Sequence, residues 1–246
     1  MIGSRLWAGL GNQLFQYAAV IGAAKKYNRA YWFPTKTLDP RVWKTYFTDL
    51  PKQPFDIGHY KIYKELTHSY TPIPDQDNII LEGFWQSEKY FEGALDDIRY
   101  AFNFPWKPLT DFVSIHVRRG DYLLYPGKHP VVTIEYLTQA VHYFIDKGYK
   151  SFVVTSDDIS WCRKNLDFLK INGIDFSYSA RKTEIEDLAL GSCCAHQVGS
   201  NSTFSLWQYF LNHNPDKEIV LPKVWFGPGN AHLVTEDIYP EKAIII

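Results

Sequence analysis

Strand-like and helix-like segments alternate along the whole chain, and this alternation limits the folds open to it. Apolar runs such as 111–117 and 151–155 have the pattern of buried strands. Between them, the apolar residues of 133–146 recur at the spacing of an amphipathic helix. Such alternation predicts a parallel sheet with helices packed against it. The expected fold class is therefore α/β.

The segment FPWKP at 104–108 interrupts both periods and marks the predicted boundary between two lobes. A chain of 246 residues can bury the cores of one large or two small domains. We expect an N-terminal α/β lobe at 1–105 and a C-terminal Rossmann-like lobe at 106–246, facing each other across a central cleft. Residues 35–77 lack clear periodicity and contain five prolines, so we expect loops and short helices there.

Composition and net charge limit the binding partners and the cellular compartment that we expect for this protein. The chain has 26 basic and 27 acidic residues, so its net charge of −1 gives no overall attraction for nucleic acid or anionic membranes. Its three cysteines form no CxxC pair, which indicates neither a zinc site nor a disulfide framework and favours a reducing compartment. No apolar run reaches the roughly 18 residues that span a bilayer, and no signal peptide is evident. We expect a cytoplasmic protein; the oligomeric state is not defined by the sequence.

The motif HVRRGDY at 116–122 ends the predicted strand 111–117 and is the strongest candidate for a binding site. In open α/β sheets, ligands bind in the crevice at the carboxyl ends of strands. Arg118 and Arg119 suit a diphosphate there, because guanidinium groups donate paired, charge-assisted hydrogen bonds to phosphate oxygens. Asp121 would face the same crevice as a base. The alternative interpretation is a solvated charged turn at the end of a strand.

Two other turns are candidates for phosphate contacts. The turn GLGNQ at 9–13 is similar to glycine-rich βα turns, whose amides approach phosphate at the start of a helix. The neutral interpretation is that Asn12 caps that helix, and both can hold. The segment SNSTF at 200–204 precedes a predicted helix, so its hydroxyls and amides either cap the helix or bind a phosphate.

Acidic residues at two helix ends complete the candidate set. In TSDD at 155–158, each carboxylate would stabilise the start of a helix by about 0.3–1 kcal/mol, and no further oxygen ligands for a metal accompany them. Asp187 lies either on a helix surface or in the crevice, where it would accept the N–H pair of a guanine. The sequence contains no HExxH, G-x-S-x-G or Walker motif, which disfavours metallohydrolase and nucleophilic serine chemistry.

Together these segments resemble the α-1,2-fucosyltransferase family. The matching segments, in family order, are AGLGNQLFQYA (8–18), GFWQSEKYF (83–91), SIHVRRGDYL (114–123), TSDDISWCRKN (155–165), DLALGSCCAHQVGSNSTFSLW (187–207) and LPKVWF (221–226). The resemblance implies a GT-B-like fold of two Rossmann-like lobes, GDP-fucose as the donor, no metal requirement and inversion at the fucose anomeric carbon. It also implies an acceptor sugar, commonly a galactose, that receives fucose on O2.

The resemblance further implies roles for individual residues. Arg118 is expected on the donor diphosphate, Asn12 at the reacting centre and Asp121 as the base. Asp187 lies where related fucosyltransferases hold the guanine. The remaining residues expected to bind the donor are Gly11, His116, Arg119, Ser156, Asp157, Asn201, Ser202, Thr203 and Phe204.

The chain departs from the family pattern in its length and at two positions. It is short, and the deficit falls in residues 35–80, where the acceptor lobe is expected. Leu206 stands where an aromatic residue commonly precedes Trp207, and Gly191 stands where methionine is usual. Two alternatives therefore remain: the same fold with another GDP-deoxysugar, such as GDP-L-rhamnose, and a non-catalytic module that binds a glycan or nucleotide. The intact arginine pair favours an enzyme.

Overall fold

In the computed structural model, the chain forms two units. The structure describes residues 1–34, 50–53, 58–102, 104, 106–169, 173–181 and 183–246. Unit 1 comprises Met1–Phe104 and Leu233–Pro240, and unit 2 comprises Pro105–His232 and Glu241–Ile246. The assignment of 1–105 to the acceptor and 106–246 to the donor stays a prediction.

Unit 1 contains a parallel sheet and one long helix. Its sheet has the strand order β1-β5-β4, and a separate parallel pair joins β2 to β3. Its elements in chain order are β1 (Ile2–Ser4), α1 (Leu10–Lys26), β2 (Phe33–Pro34), β3 (Lys52–Gln53), β4 (Lys61–Lys64), β5 (Ile79–Glu82), a 3-10 helix (Glu88–Phe91) and α2 (Leu95–Ala101).

Two expectations for unit 1 need correction. The segment 87–102 is not one helix, because Gly93 adopts a left-handed φ of 74° between the 3-10 helix and α2. Within 35–77, the structure places strands β3 and β4 where loops and short helices are expected. Residues 35–49 and 54–57 of that segment lie outside the described residues.

Unit 2 is built on a parallel six-stranded sheet, which confirms the predicted α/β class. Its strands and α-helices in chain order are β6 (Leu109–Val117), α3 (Ile134–Asp146), β7 (Ser151–Ser156), α4 (Ile159–Leu166), β8 (Asp175–Tyr178), α5 (Glu184–Cys193), β9 (Cys194–Val198), α6 (Thr203–Phe210), β10 (Ile219–Leu221) and β11 (Ile244–Ile245). The strand order across the sheet is β8-β7-β6-β9-β10-β11. Numbered from β6, this is the order 3-2-1-4-5-6 of a Rossmann sheet.

Side-chain caps fix the starts of the unit 2 helices close to the ends of the preceding segments. Thr133, Asp158 and Ser202 accept hydrogen bonds from the first-turn amides of Tyr136, Trp161 and Phe204. At α5, Thr183 and Glu186 form a reciprocal capping box. Each cap satisfies an otherwise orphaned amide and stabilises its helix by about 1 kcal/mol.

The core of unit 2 follows from its periodicities. Leu137, Val141 and Phe144 recur on one face of α3 and are buried. They belong to the same apolar cluster as Val113 of β6 and Phe152 of β7. The sheet therefore buries apolar side chains under its helices and leaves the strand ends to carry polar groups.

A segment near the C-terminus completes unit 1. Asp237 accepts hydrogen bonds from the backbone amide of Tyr70 at 2.7 Å and from Nζ of Lys89 at 2.5 Å. The hydrogen bond and charge of Lys89 lower the pKa of Asp237. The segment Leu233–Pro240 thus joins a unit formed otherwise by the N-terminal part of the chain.

Among the described residues, no helix is both long enough and apolar enough to cross a lipid bilayer.

Tyr136 tests how far one hydroxyl stabilises the end of the unit 2 sheet. This buried group donates toward the carbonyls of Gly199, at 2.6 Å, and Val220, at 3.0 Å. Because Tyr136→Phe leaves both carbonyls without that donor, we expect the free energy of unfolding to fall by about 1–2 kcal/mol. Urea unfolding measures this change.

Tyr143→Phe is the matched control, because its hydroxyl lies a long 3.4 Å from Glu218. We expect it to change stability by less than about 0.5 kcal/mol. Equal losses in the two variants would contradict the assignment.

Candidate functional site

The strand order of unit 2 reverses between the neighbouring strands β6 and β9. Polar residues follow the carboxyl ends of both strands. β6 ends at Val117 and is followed by Arg118, whereas β9 ends at Val198 and is followed by Gly199 and Ser200. Such a switch point forms a crevice at the carboxyl ends of the strands, where ligands of open α/β sheets bind. The structure therefore places the sequence-predicted arginine motif at the expected edge.

Arg118 is held on three sides. Its backbone amide donates to Oγ of Ser200 at 3.0 Å, and Nη2 donates to Oδ1 of Asp121 at 2.5 Å. Nη1 lies 2.8 Å from Oδ2 of Asp157. The Arg118 side chain is 33% exposed, so its charge is oriented by two carboxylates and still accessible to solvent.

Asp157, which follows β7, connects the end of that strand to the arginines that follow β6. Its Oδ1 accepts the backbone amide of Arg119 at 2.9 Å while its Oδ2 pairs with Arg118. Gly120 allows this approach, because a Cβ there would lie 2.5 Å from Oδ2 of Asp157. Ser156, just before, donates from Oγ to the carbonyl of Val117 at 2.7 Å. The predicted residues Ser156 and Asp157 thus brace the arginine motif from β7.

Arg119 points to a different set of partners. Its Nε donates to Oδ2 of Asp158 at 3.1 Å, and its guanidinium lies 3.8 Å from the ring centre of Trp161. The side chain is only 13% exposed. Adjacent arginines therefore do not present two parallel forks, and Arg118 is the one with the more accessible guanidinium.

His116 is buried beneath the site and is uncharged at neutral pH. Its Nδ1 lies 2.7 Å from Oγ of Ser205, and its ring centre lies 4.7 Å from that of Phe204. Burial, reinforced by the positive charge of Arg118, lowers the pKa of His116 to about 3. His116 therefore links β6 to α6 and contributes no positive charge to the crevice.

The segment after β9 forms the other wall. Ser200 donates from Oγ to the carbonyl of His116 at 2.9 Å, and its amide donates to Ser205. Asn201 is buried, and its Nδ2 donates to the carbonyls of Pro130 and Trp225. Ser202 caps α6, which begins at Thr203, so the predicted residues 201–204 form the approach to the start of a helix.

Asp187 lies on α5, next to the end of β8. Its Oδ1 accepts the hydroxyl of Ser179 at 2.5 Å. Burial raises the pKa of Asp187, although the hydrogen bond from Ser179 opposes this shift. Nε2 of Gln208 donates to the Asp187 carbonyl at 3.1 Å and lies 3.2 Å from Oγ1 of Thr155. One carboxamide of α6 thereby ties α5 to β7.

Gly11 and Asn12 belong to unit 1, where both lie in the first turn of α1. The helix begins at Leu10 and Gly9 is its N-cap residue, so the interpretation of Asn12 as the cap is wrong. Oδ1 of Asn12 instead accepts Nε2 of Gln86 at 2.7 Å.

Three residues organise the site without having been assigned to it individually: Ser205 and Gln208 were missed by sequence reasoning, and Ser200 was named only as part of the segment 200–204. All three are buried and hydrogen-bonded to other elements. A polar residue on an otherwise apolar helix is a usable signal, and Gln208 stands between Trp207 and Tyr209. A Cβ at position 191 would lie 2.2 Å from the Gln208 carboxamide carbon. Only glycine at this position therefore leaves room for the Gln208 side chain.

Asp121, Asp157 and Asp158 pair with arginines, whereas Asp187 accepts the hydroxyl of Ser179. Within the described ranges, no group of three or more His, Cys, Asp or Glu side chains is arranged to hold a metal ion.

Comparison with solved structures defines the class of fold. The apo form of POFUT1 matches with a TM-score of 0.51 at 13% identity, covering 89% of this chain and 97% of that one. The NodZ α-1,6-fucosyltransferase co-crystallised with GDP matches with a TM-score of 0.51 at 14% identity, covering 85% and 91%. At such identities the likeness shows a shared fold, that of the GT-B-like fucosyltransferases.

Relatives of this chain include bacterial and mammalian glycosyltransferases. The O-antigen biosynthesis glycosyltransferase WbnK of Escherichia coli is 33% identical over 50% of this chain and 42% of its own length. An alpha-1,2-colitosyltransferase of Escherichia coli is 27% identical over 99% and 98%. A galactoside 2-alpha-L-fucosyltransferase of Bos taurus is 28% identical over 82% and 62%. The chain therefore spans well under two thirds of the first of these relatives and nearly all of the second.

The family itself is shown directly. The model of Glycosyl transferase family 11 matches residues 4–239, and the chain belongs to that family.

His116 makes the stability of the protein depend on pH. Its folded pKa of about 3 lies below the ordinary value of 6.5, so the unfolded chain takes up a proton first as the pH falls. Between these two values, stability decreases with falling pH. We expect the titration of His116 to lower the free energy of unfolding of the wild type by about 2 kcal/mol between pH 7 and pH 5. Urea unfolding at both pH values measures this change.

His116→Gln provides the comparison, because glutamine does not titrate and keeps a polar group near Ser205. It should lose about 2 kcal/mol less than the wild type over the same interval. The pKa values of His129 and His196 are also lowered by burial, but both residues are present in both proteins. Identical losses would show that His116 does not govern this dependence.

Proposed function

We propose that the chain transfers L-fucose from GDP-β-L-fucose to O2 of an acceptor sugar, galactose, with inversion to an α-1,2 linkage. The observation that carries the proposal is the partly exposed guanidinium of Arg118, oriented at the switch point of a Rossmann sheet. Family membership and the fucosyltransferase among the relatives support the same reaction.

In this proposal, unit 2 binds the nucleotide. Arg118 contacts the diphosphate, and the amides at the start of α6, near Ser202, Thr203 and Phe204, contact its oxygens. The carboxylate of Asp187 accepts the two N–H groups of guanine. Ser179 already donates to this carboxylate, which leaves acceptor positions for the base.

The positive charge of Arg118 is neutralised before the donor binds. Asp121 and Asp157 both pair with it, and Asp121 is the more exposed carboxylate at 60%, against 26% for Asp157. We infer that the diphosphate replaces Asp121 on the guanidinium, whereas Asp157 keeps it oriented through its second bond to Arg119. The released Asp121 is the proposed base.

The chemistry requires stabilisation of the leaving group above all. As the bond from the anomeric carbon to the GDP oxygen breaks, negative charge grows on the diphosphate. A preorganised guanidinium stabilises that charge without reorganisation, and such contacts contribute several kcal/mol. The acceptor O2 forms the new bond from the opposite face of the fucose ring and gives its proton to a carboxylate within hydrogen-bond reach. The proposal includes no metal, because Arg118 supplies the positive charge.

Partners and location belong to the same proposal. The substrates are a nucleotide sugar and a glycan, and the near-zero net charge gives no reason to include nucleic acid. The three cysteines, all within the described residues, are free, which favours a reducing compartment. We propose the cytoplasm.

A second donor is favoured by one observation. The similarity to the alpha-1,2-colitosyltransferase extends over 98% of that relative's length, so colitose is the alternative sugar. Activity with GDP-fucose, GDP-L-rhamnose and nucleotide-linked colitose, each with a β-galactoside panel and linkage analysis, decides the donor. GDP binding without transfer from any donor would indicate a non-catalytic module instead.

Arg118→Ala tests the role of the guanidinium. We expect kcat to fall by about 10²–10³-fold, because the charge developing on the diphosphate loses its main donor. Arg118→Lys should recover part of this loss, since it restores charge without the planar fork. Steady-state kinetics with GDP-fucose and a β-galactoside measure both variants.

The control is Arg163→Ala, which removes an exposed arginine of α4 that packs over Tyr178. It should retain kcat within about twofold. Asp121→Asn should keep residual activity, because diphosphate stabilisation outweighs proton removal. Wild-type turnover by Arg118→Ala would refute the assignment.

A further inference from the structure

Aromatic rings collect at the carboxyl edge of the unit 1 sheet. β1, β5 and β4 are parallel neighbours, so the residues that follow them meet at one edge. Trp7 follows β1 and Phe84 follows β5, and their ring centres lie 4.3 Å apart at an interplanar angle of 40°. His68, which follows β4, lies 5.7 Å from Phe84. We call Trp7, Phe84 and His68 the aromatic platform.

The platform is accessible to solvent. Trp7 is 45% exposed, whereas the neighbouring Trp85 is only 1% exposed. Phe84 and His68 are half-buried. A large exposed indole packed at a tilt against another ring presents apolar surface to solvent, which is a common arrangement in ligand sites.

The backbone on both sides of the platform is strained. Ala8 and Trp85, which directly follow Trp7 and Phe84, have left-handed φ values of 66° and 56°. Side chains with a Cβ adopt this region at a cost of about 1–2 kcal/mol. Strain of this kind gathers at functional sites, where surrounding contacts hold it.

Those contacts are present on both loops. Nε2 of Gln13 donates to the Ala8 carbonyl at 2.7 Å, and Oε1 of Gln16 accepts the Trp7 amide at 3.0 Å. On the other loop, Glu65 accepts the amides of Phe84 at 2.6 Å and Trp85 at 3.0 Å.

Gly83 is required for the approach of Glu65. A Cβ at Gly83 would lie 2.4 Å from Cβ of Glu65. Glu65 is half-buried and accepts two backbone amides, so its carboxylate holds the backbone of the loop that carries Phe84.

Amide side chains lie at the same edge. Asn12 is in the first turn of α1, and its Oδ1 accepts Nε2 of Gln86 from the chain that follows Trp85. A pyranose has an apolar face of C–H groups and a rim of hydroxyls. Rings for the face and carboxamides for the rim match that chemistry.

We propose that the aromatic platform binds the pyranose ring of the acceptor glycan by stacking, with Asn12, which the buried Gln86 orients, contacting its hydroxyls. This inference rests on the proposed function, since that function defines the acceptor. The inference extends the proposed function by assigning affinity for the acceptor to Trp7 in particular.

Kinetics of Trp7→Ala test the platform. With the β-galactoside that the wild type uses best, we expect the acceptor KM to rise about tenfold or more, while the KM for GDP-fucose changes less than about twofold. Trp7→Phe, which keeps an aromatic face, should raise the acceptor KM no more than about threefold. The matched control is Tyr100→Ala, because Tyr100 is an 83% exposed aromatic of α2 in the same unit.

An acceptor KM that is unchanged in Trp7→Ala, or raised equally in Tyr100→Ala, overturns the inference while leaving the proposed function intact. Absence of fucose transfer by the wild type to any β-galactoside refutes the proposed function instead. In that case saturation-transfer NMR with methyl β-D-galactoside decides: a signal present in the wild type and lost in Trp7→Ala supports the platform. Absence of the signal in the wild type overturns the platform as well.

Discussion

The ion pairing of Arg118 is the interaction on which the candidate site depends. A guanidinium that is two-thirds buried needs counterions, and Asp121 and Asp157 supply them from two different strand ends. These pairs orient the charge toward the crevice before any ligand is present. Because one partner is exposed and the other is also bound to the backbone, exchange of a carboxylate for a phosphate leaves the arginine in place. The site therefore holds an oriented guanidinium whose exposed partner, Asp121, an anion can replace.

Neutral hydrogen bonds make this arrangement rigid. Ser200 joins the amide of Arg118 to the carbonyl of His116, and Ser205 joins the imidazole to the chain after β9. His116 stays uncharged in this network, because burial and the positive charge of Arg118 both lower its pKa. On the other side, Gln208 connects α6 to Asp187. The groups proposed for diphosphate and guanine are consequently positioned by one helix.

The sequence predicted what depends on short stretches of chain. The α/β class, the helix over 133–146, the start of a helix after the segment 200–204 and the arginine motif after β6 all follow from local patterns. It failed where distant residues decide the outcome. The separation of Arg118 from Arg119 depends on Asp158 and Trp161, which no local pattern pairs with them. The strained loops at Ala8 and Trp85 depend on Gln13 and Glu65, and likewise left no periodic signal.

The place of Asp237 has a consequence for how the protein is made. Unit 1 is discontinuous: most of it is translated first, but the residue that binds Tyr70 and Lys89 emerges only after nearly all of unit 2. A ribosome-bound chain that ends at the interlobe segment therefore lacks a native anchor for its own N-terminal part. Unit 1 can therefore form all of its native contacts only after residues 233–240 have been synthesised.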